Sequence, residues 1–166
     1  MGESFKFYRL FYSIFAAVSL GGILWYQFSI KSTFLFSSGI LNYALSIILI
    51  IPGLVVMIIC IKKYFYELSG IQVFTKDEQH VTLQQSGLHK YIRHPLYAGT
   101  LLFVWGLFFL FPALANLIAC VIITLYVIVG IKLEEKQLRI EFGDAYYKYS
   151  KKVPMILPNF WVRGKK

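Results

Sequence analysis

Charge is scarce in this chain of 166 residues: 15% are Asp, Glu, Lys or Arg, and only 8 are acidic. A soluble domain carries about 25% charged and about 45–50% apolar residues. Here 58% are hydrophobic and the mean hydropathy is +0.64, which excludes an ordinary soluble globule. Cysteine is scarcer still. Cys60 and Cys120 lie inside apolar runs with no Cys-x-x-Cys spacing, so each reads as a small packing residue and not as a ligand or disulfide partner. The three histidines, His80, His89 and His94, lack metal-site spacing on a helix face, so no metal is expected. There is also no strand leading into Gly-x-Gly-x-x-Gly, no internal repeat and no low-complexity tract.

What the chain does have is long apolar runs. The first extends from about Phe5 to Ile30, too long and too aromatic for a signal peptide, and is read as a retained helix. The second extends from about Gly39 to Ile61 and carries Pro52-Gly53, where a kink is expected. The third, Pro95 to Phe111, is short, roughly 25 Å at about 1.5 Å per residue. The fourth, Ala113 to about Leu133, has full spanning length. Only Pro112 separates the last two, which predicts a tight helical hairpin. The expected fold is all-α and multi-pass, with about four crossings in one integral membrane domain. Its parts are two scaffold helices within 1–61, a cytoplasmic loop over 62–94, the hairpin over 95–133, and a cytoplasmic C-terminal segment over 134–166.

The net charge of +9 is distributed asymmetrically. Of the 17 Lys and Arg residues all but Lys31 fall at the N-terminus, in 62–93, or after residue 131. Positive charge marks the cytoplasmic side, so both termini are expected there, with the hairpin tip opposite. A basic face for nucleic acid lacks the aromatic-interleaved motif it would need, and anionic headgroups account for the excess charge.

Ionisable groups near hydrocarbon are costly, and they mark functional sites. Arg93, His94 and Tyr97 stand at the mouth of the third run, while Glu134, Glu135 and Arg139 stand at the end of the fourth. A hairpin with a one-residue tip must bring these two ends together, giving one site with cation-binding and anion-binding halves. Pro95 suits the first position of a helix and biases His94 to non-helical dihedrals, which makes His94 a cap. Gly143 is placed to end the last helix, and Tyr146, Tyr147 and Tyr149 read as an interfacial belt. The bland alternatives are an ordinary Glu135–Arg139 helix-surface pair and an Arg93 that reaches to lipid phosphates.

The two clusters resemble the isoprenylcysteine carboxyl methyltransferases and the related membrane phospholipid methyltransferases. Gly87, Tyr91, Arg93, His94, Pro95, Tyr97 and Gly99 match one motif of that family. Glu134, Glu135, Leu138, Phe142, Gly143, Tyr146, Tyr149, Val153, Pro154 and Pro158 match the other. The likeness covers roughly residues 80–160, and it departs where His89 replaces a usual Tyr. It implies S-adenosylmethionine as cofactor, with Gly87, Leu88, His94, Tyr97, Glu134 and Glu135 binding it. Arg93 would orient the acceptor, and Arg93 and Glu135 are the implied catalytic pair. The acceptor would be a lipophilic small molecule or lipidated carboxylate reaching the site from membrane lipid, in a prokaryotic plasma membrane. Two other readings stand beside this one. A sterol-reductase-like enzyme would bind NADPH, and a non-catalytic membrane scaffold would bind neither. The sequence leaves the oligomeric state open, although the Gly21-Gly22 pair could serve helix pairing.

Overall fold

The computed structural model of the protein describes residues 32–68 and 83–158, together with Val18, Gly21, Gly22 and Trp25. Three helices make up the described chain: α1 (Ile40–Leu68), α2 (Pro95–Leu110) and α3 (Leu114–Lys152). A 3₁₀ turn at Gly87–Lys90 precedes α2. Among the described residues there is no β-strand, only an isolated bridge between Phe34 and Ala113. Most of the expected first crossing, residues 69–82 of the loop expected over 62–94, and the end of the tail lie outside the described residues.

Helices α1 and α3 are long and apolar enough to cross a membrane, each holding an 18-residue stretch of high mean hydropathy, 3.0 within Ile40–Lys63 and 2.6 within α3. α2 is a shorter apolar helix of 16 residues, about 24 Å long. The expected boundaries hold within a residue where Gly and Pro set them, since Pro95 opens α2 and Pro112 lies in the break before α3. Ile47, Ile51, Val55 and Ile58 on α1, and Ile118, Ile122, Leu125 and Val129 on α3, are exposed. Such a band is a liability in water and at home against lipid tails.

α2 packs on α3 through Val104, Phe108, Cys120, Ile123, Val127 and Ile131. Both cysteines are buried, and the Cys120 thiol points to the Val104 carbonyl at 3.3 Å. Against α1, α2 packs through glycine. A Cβ at Gly53 would lie 2.8 Å from the Phe103 nitrogen and 2.9 Å from the Gly99 oxygen. One at Gly106 would lie 2.6 Å from Ile50 Cγ1 and 3.0 Å from the Ile50 nitrogen. Backbone touches backbone here, the packing by which apolar helices associate when lipid supplies no hydrophobic drive. Pro52 lies inside α1, immediately before the contact glycine.

At the tip, Leu35 N–H donates to Pro112 O at 2.8 Å and Leu114 N–H donates to Thr33 O at 3.0 Å. The N-cap position of α3 is Ala113, which has no capping side chain. The Ser32 hydroxyl substitutes by accepting the Ala115 N–H at 3.0 Å, satisfying one of the orphan donors of the first turn. The segment carrying the chain toward α1 therefore lies at the hairpin tip, and the opposite end of the bundle holds both polar clusters.

Replacing Gly106 by Leu, or Gly53 by Val, should lower stability by about 1–3 kcal/mol or more, because backbone atoms cannot step aside. Gly39, with open space around its Cα, should accept Ala with no comparable loss. Thermal unfolding of the detergent-solubilised variants checks this, and equal midpoints for Gly39→Ala and Gly106→Leu would contradict the packing.

Candidate functional site

Pro95 fixes the first turn of α2 and leaves His94 outside it, at φ −123 and ψ 67. The capping position is as expected but the ring does not cap, since no side-chain cap bond forms. It faces the glutamates instead. His94 is 5% exposed, with Nε2 3.3 Å from Glu135 Oε1 and Nδ1 3.7 Å from Glu134 Oε2. The rings of His94 and Tyr97 lie 5.8 Å apart at 44°. The two clusters that topology predicted to meet do so.

Arg93 is the most heavily bonded side chain in the site. Its Nε and Nη2 donate to Glu135 Oε1 at 2.8 and 2.5 Å. Its Nη1 donates to the carbonyls of Ser150 and Val153, each at 2.7 Å. The ion-pair side chains are only 10% and 9% exposed. The guanidinium expected to hold an acceptor thus directs its donors into the protein. Arg139, 63% exposed and 3.8 Å from Glu135 Oε2, is the loose outer member of the cluster.

The tail completes the junction. Gly143 leaves helical geometry at φ 49 and ψ −123, a conformation glycine tolerates, and the helical residues beyond it reach the loop. Tyr149 donates its hydroxyl to His89 O at 2.7 Å. Past the helix end, the backbone N–H groups of Arg93 and His94 donate to Pro154 O and Met155 O at 2.9 and 3.0 Å. Sequence reasoning placed Tyr146 and Tyr149 in an interfacial belt, but both are buried, whereas Tyr147 is 57% exposed as a belt residue should be. The pairing of Val153–Met155 with the motif was also missed. Its signal was the extended Val-Pro stretch, which leaves backbone groups in need of partners.

Gly87 and Leu88 open the 3₁₀ turn, Gly87 at φ 61, with the Leu88 carbonyl accepting the N–H groups of Tyr91 and Ile92. This turn is tied to the site through the Tyr149–His89 bond. No cluster of His, Cys, Asp or Glu suited to a metal occurs among the described residues.

Burial pushes the Glu135 carboxyl up, but hydrogen bonds and charge from Arg93, joined by His94, more than offset it and hold the group below its usual range. Tyr146 is raised, first by burial and then by the neighbouring Glu135 charge, so its phenol stays neutral. Its hydroxyl makes no hydrogen bond of acceptable geometry in the structure. His89 is lowered to about 4, first by burial and then by His94 and Lys63. The chemistry available is therefore a fixed, ionised, internally committed Glu135 beside an open carboxylate, Glu134, whose side chain is 42% exposed. That open anion, with His94 and Tyr97 beside it, fits a cationic, ring-bearing cofactor. A cleft of about 350 Å³ adjoins the cluster and shares Tyr149 and Val153 with it.

Residues 41–145 match the family model for phospholipid methyltransferase. The chain is 31% identical over 97 residues to a methanethiol S-methyltransferase of Crocosphaera subtropica, covering 56% of this chain and 36% of that protein. Against methanethiol S-methyltransferase 1 of Bradyrhizobium diazoefficiens it is 37% identical over 79 residues, 46% of this chain and 26% of that one. Against the protein-S-isoprenylcysteine O-methyltransferase of Schizosaccharomyces pombe it is 32% identical over 93 residues, 54% and 38% of the two chains. The matches therefore span less than two fifths of each of these relatives. No solved structure matches the chain.

Arg93→Ala should destabilise the protein by about 3–5 kcal/mol, because it strands a buried carboxylate. Arg93→Lys should rescue little, since one ammonium cannot fork to Glu135 and to two carbonyls together. Unfolding midpoints that stayed at the wild-type value in both variants would refute the clamp. Acid should act in two stages. His89 has a folded value below its unfolded one, so stability is complete above about 6.5 and falls as the pH drops toward about 4. Glu135 is also depressed, so its contribution is complete above the ordinary carboxylate range and is lost progressively as the pH falls from there through its lower folded value. A midpoint-versus-pH series on wild type and His89→Gln checks the first stage, which the substitution should flatten.

Proposed function

The chain belongs to the phospholipid methyltransferase family, and from that premise we propose that it is a membrane methyltransferase that uses S-adenosylmethionine on a lipophilic acceptor. The observation that carries this reading is the buried Arg93–Glu135–His94 junction with Glu134 left open at its edge. In this reading Glu134 meets the cationic part of the cofactor, and His94 and Tyr97 line its nucleoside. Gly87 and Leu88 approach it through backbone. Bound there, S-adenosylmethionine supplies an electrophilic methyl group.

The residues then have separate duties. Arg93 and Glu135 are positioning residues that hold the start of α2 against α3 and the tail. Their rigidity fixes His94 and Tyr97, which serves a displacement whose rate depends on alignment and on exclusion of water. We favour a small lipophilic thiol as acceptor, in keeping with the relatives named methanethiol S-methyltransferase. Arg93, engaged within the protein, is not the group that would hold an acceptor carboxylate. A thiol must shed its proton before its sulfur attacks, and Glu134, the more exposed of the two carboxylates beside His94, can receive it. In this reading the site stands at the cytoplasmic end of the bundle, where the chain's positive charge collects. A lipophilic acceptor reaches it from the bilayer and a polar cofactor reaches it from water.

Calorimetry of the detergent-purified protein should show binding of S-adenosylhomocysteine and none of NADPH. Binding of NADPH alone would replace this reading with a reductase. With the cofactor, methanethiol should be turned over faster than a farnesylcysteine carboxylate. Glu134→Gln should cost about 10²–10⁴-fold in turnover, the range for a positioned proton acceptor. A faster carboxylate reaction, insensitive to Glu134→Gln, would refute the thiol assignment.

A further inference from the structure

The cleft beside the site has a character the methyl-transfer chemistry does not use. Lys90 and Gln85 line it from the loop, and Ala145, Lys148 and Lys152 line it from the helical turns beyond Gly143. Ala145, Lys148 and Lys152 recur at helical spacing, so they share one face. Three lysines from two separate elements thus line one concavity. No carboxylate lines it, and none of the three lysines has an ion-pair partner among the described residues. Like charges brought together without a counter-ion repel, and an anion seated between them relieves that repulsion. A lysine in a last turn also answers the helix dipole. That account covers Lys152 alone, because Lys90 comes from another element and the Ser150 and Val153 carbonyls are taken by Arg93.

The surroundings indicate the source of the anion. The cleft is at the end of the bundle where α3 leaves its apolar stretch, and the same segment exposes Ile140, Tyr147, Met155 and Leu157 at 69%, 57%, 37% and 79%. Exposed apolar and tyrosyl side chains interleaved with lysines belong at a headgroup boundary. We propose that this cleft seats the phosphodiester of an anionic phospholipid headgroup, with Lys90, Lys148 and Lys152 as its cationic ligands. This site is independent of the methyl-transfer assignment and would anchor the loop–tail junction to the membrane surface.

The test uses the full chain in neutral detergent micelles, with dioleoylphosphatidylglycerol and dioleoylphosphatidylcholine as probes and bound lipid read by native mass spectrometry. Wild type should retain phosphatidylglycerol in preference to phosphatidylcholine. The K90Q/K148Q/K152Q variant should bind it roughly a hundredfold more weakly, about fivefold for each ammonium removed. A K132Q/K136Q variant, altered on α3 outside the cleft, should keep the preference. Three results would overturn the proposal. The triple variant could bind phosphatidylglycerol as wild type does. Inorganic phosphate could compete at equal concentration, making this a free-anion site. S-adenosylhomocysteine binding could disappear with the lysines, making the cleft part of the cofactor site. If the triple variant does not fold, K148E at an exposed position repeats the comparison.

Discussion

A guanidinium with four hydrogen bonds and almost no contact with water holds together three parts of this chain that are distant in sequence. Arg93 follows a 3₁₀ turn, Glu135 lies past the apolar part of α3, and the Ser150 and Val153 carbonyls belong to the end of that helix. Desolvating such a pair is expensive, and its mutual attraction repays the cost only when geometry and auxiliary bonds are good. Here the carbonyls supply those bonds, so Glu135 can remain ionised although buried. A buried ion pair of this kind is a poor source of net stability. What it does provide is a single allowed register between loop, hairpin and tail, and that register fixes how the two polar clusters meet.

That register would be useless if the hairpin drifted. Two features of small residues prevent it. Gly53 and Gly106 let α1 and α2 touch through backbone, where any side chain would push them apart. At the tip, Ser32 and Thr33 both bond to the first turn of α3, so both ends of the hairpin are pinned. The polar junction is thus assembled on helices whose spacing is set by sterics, and small errors in glycine packing would be felt as displacements of His94 and Glu134.

The helix pattern and the meeting of the two polar clusters were legible in the sequence for a topological reason. Pro95 and Pro112 punctuate an apolar run of known length, and a short hairpin leaves its open ends nowhere else to be. The bonding within the cluster was not legible. Arg93 reads as a free binding group, because nothing in its local sequence reveals that carbonyls of residues 150 and 153 will be waiting for it. The tyrosines misled for a related reason. Tyr146, Tyr147 and Tyr149 are adjacent in a basic stretch and read as one belt, yet helical spacing and the break at Gly143 send the first and third inward and the second outward. Composition describes the stretch, and only the backbone decides each residue.

The adjacent pair Glu134 and Glu135 shows how a membrane-edge site can divide its labour between identical groups. Neighbours on a helix point about 100° apart, so one carboxylate faces the interior while the other faces the open edge. Glu135, enclosed by Arg93 and His94, keeps a permanent charge but surrenders its lone pairs to the protein. Glu134, half exposed, is free to attract a cation or take a proton. Exchanging their roles would require rotating the whole of α3, which the α2 contacts and the Arg93 clamp forbid. A carboxylate kept available on the outer side of a buried ion pair therefore follows directly from placing two glutamates in sequence where an apolar helix meets water.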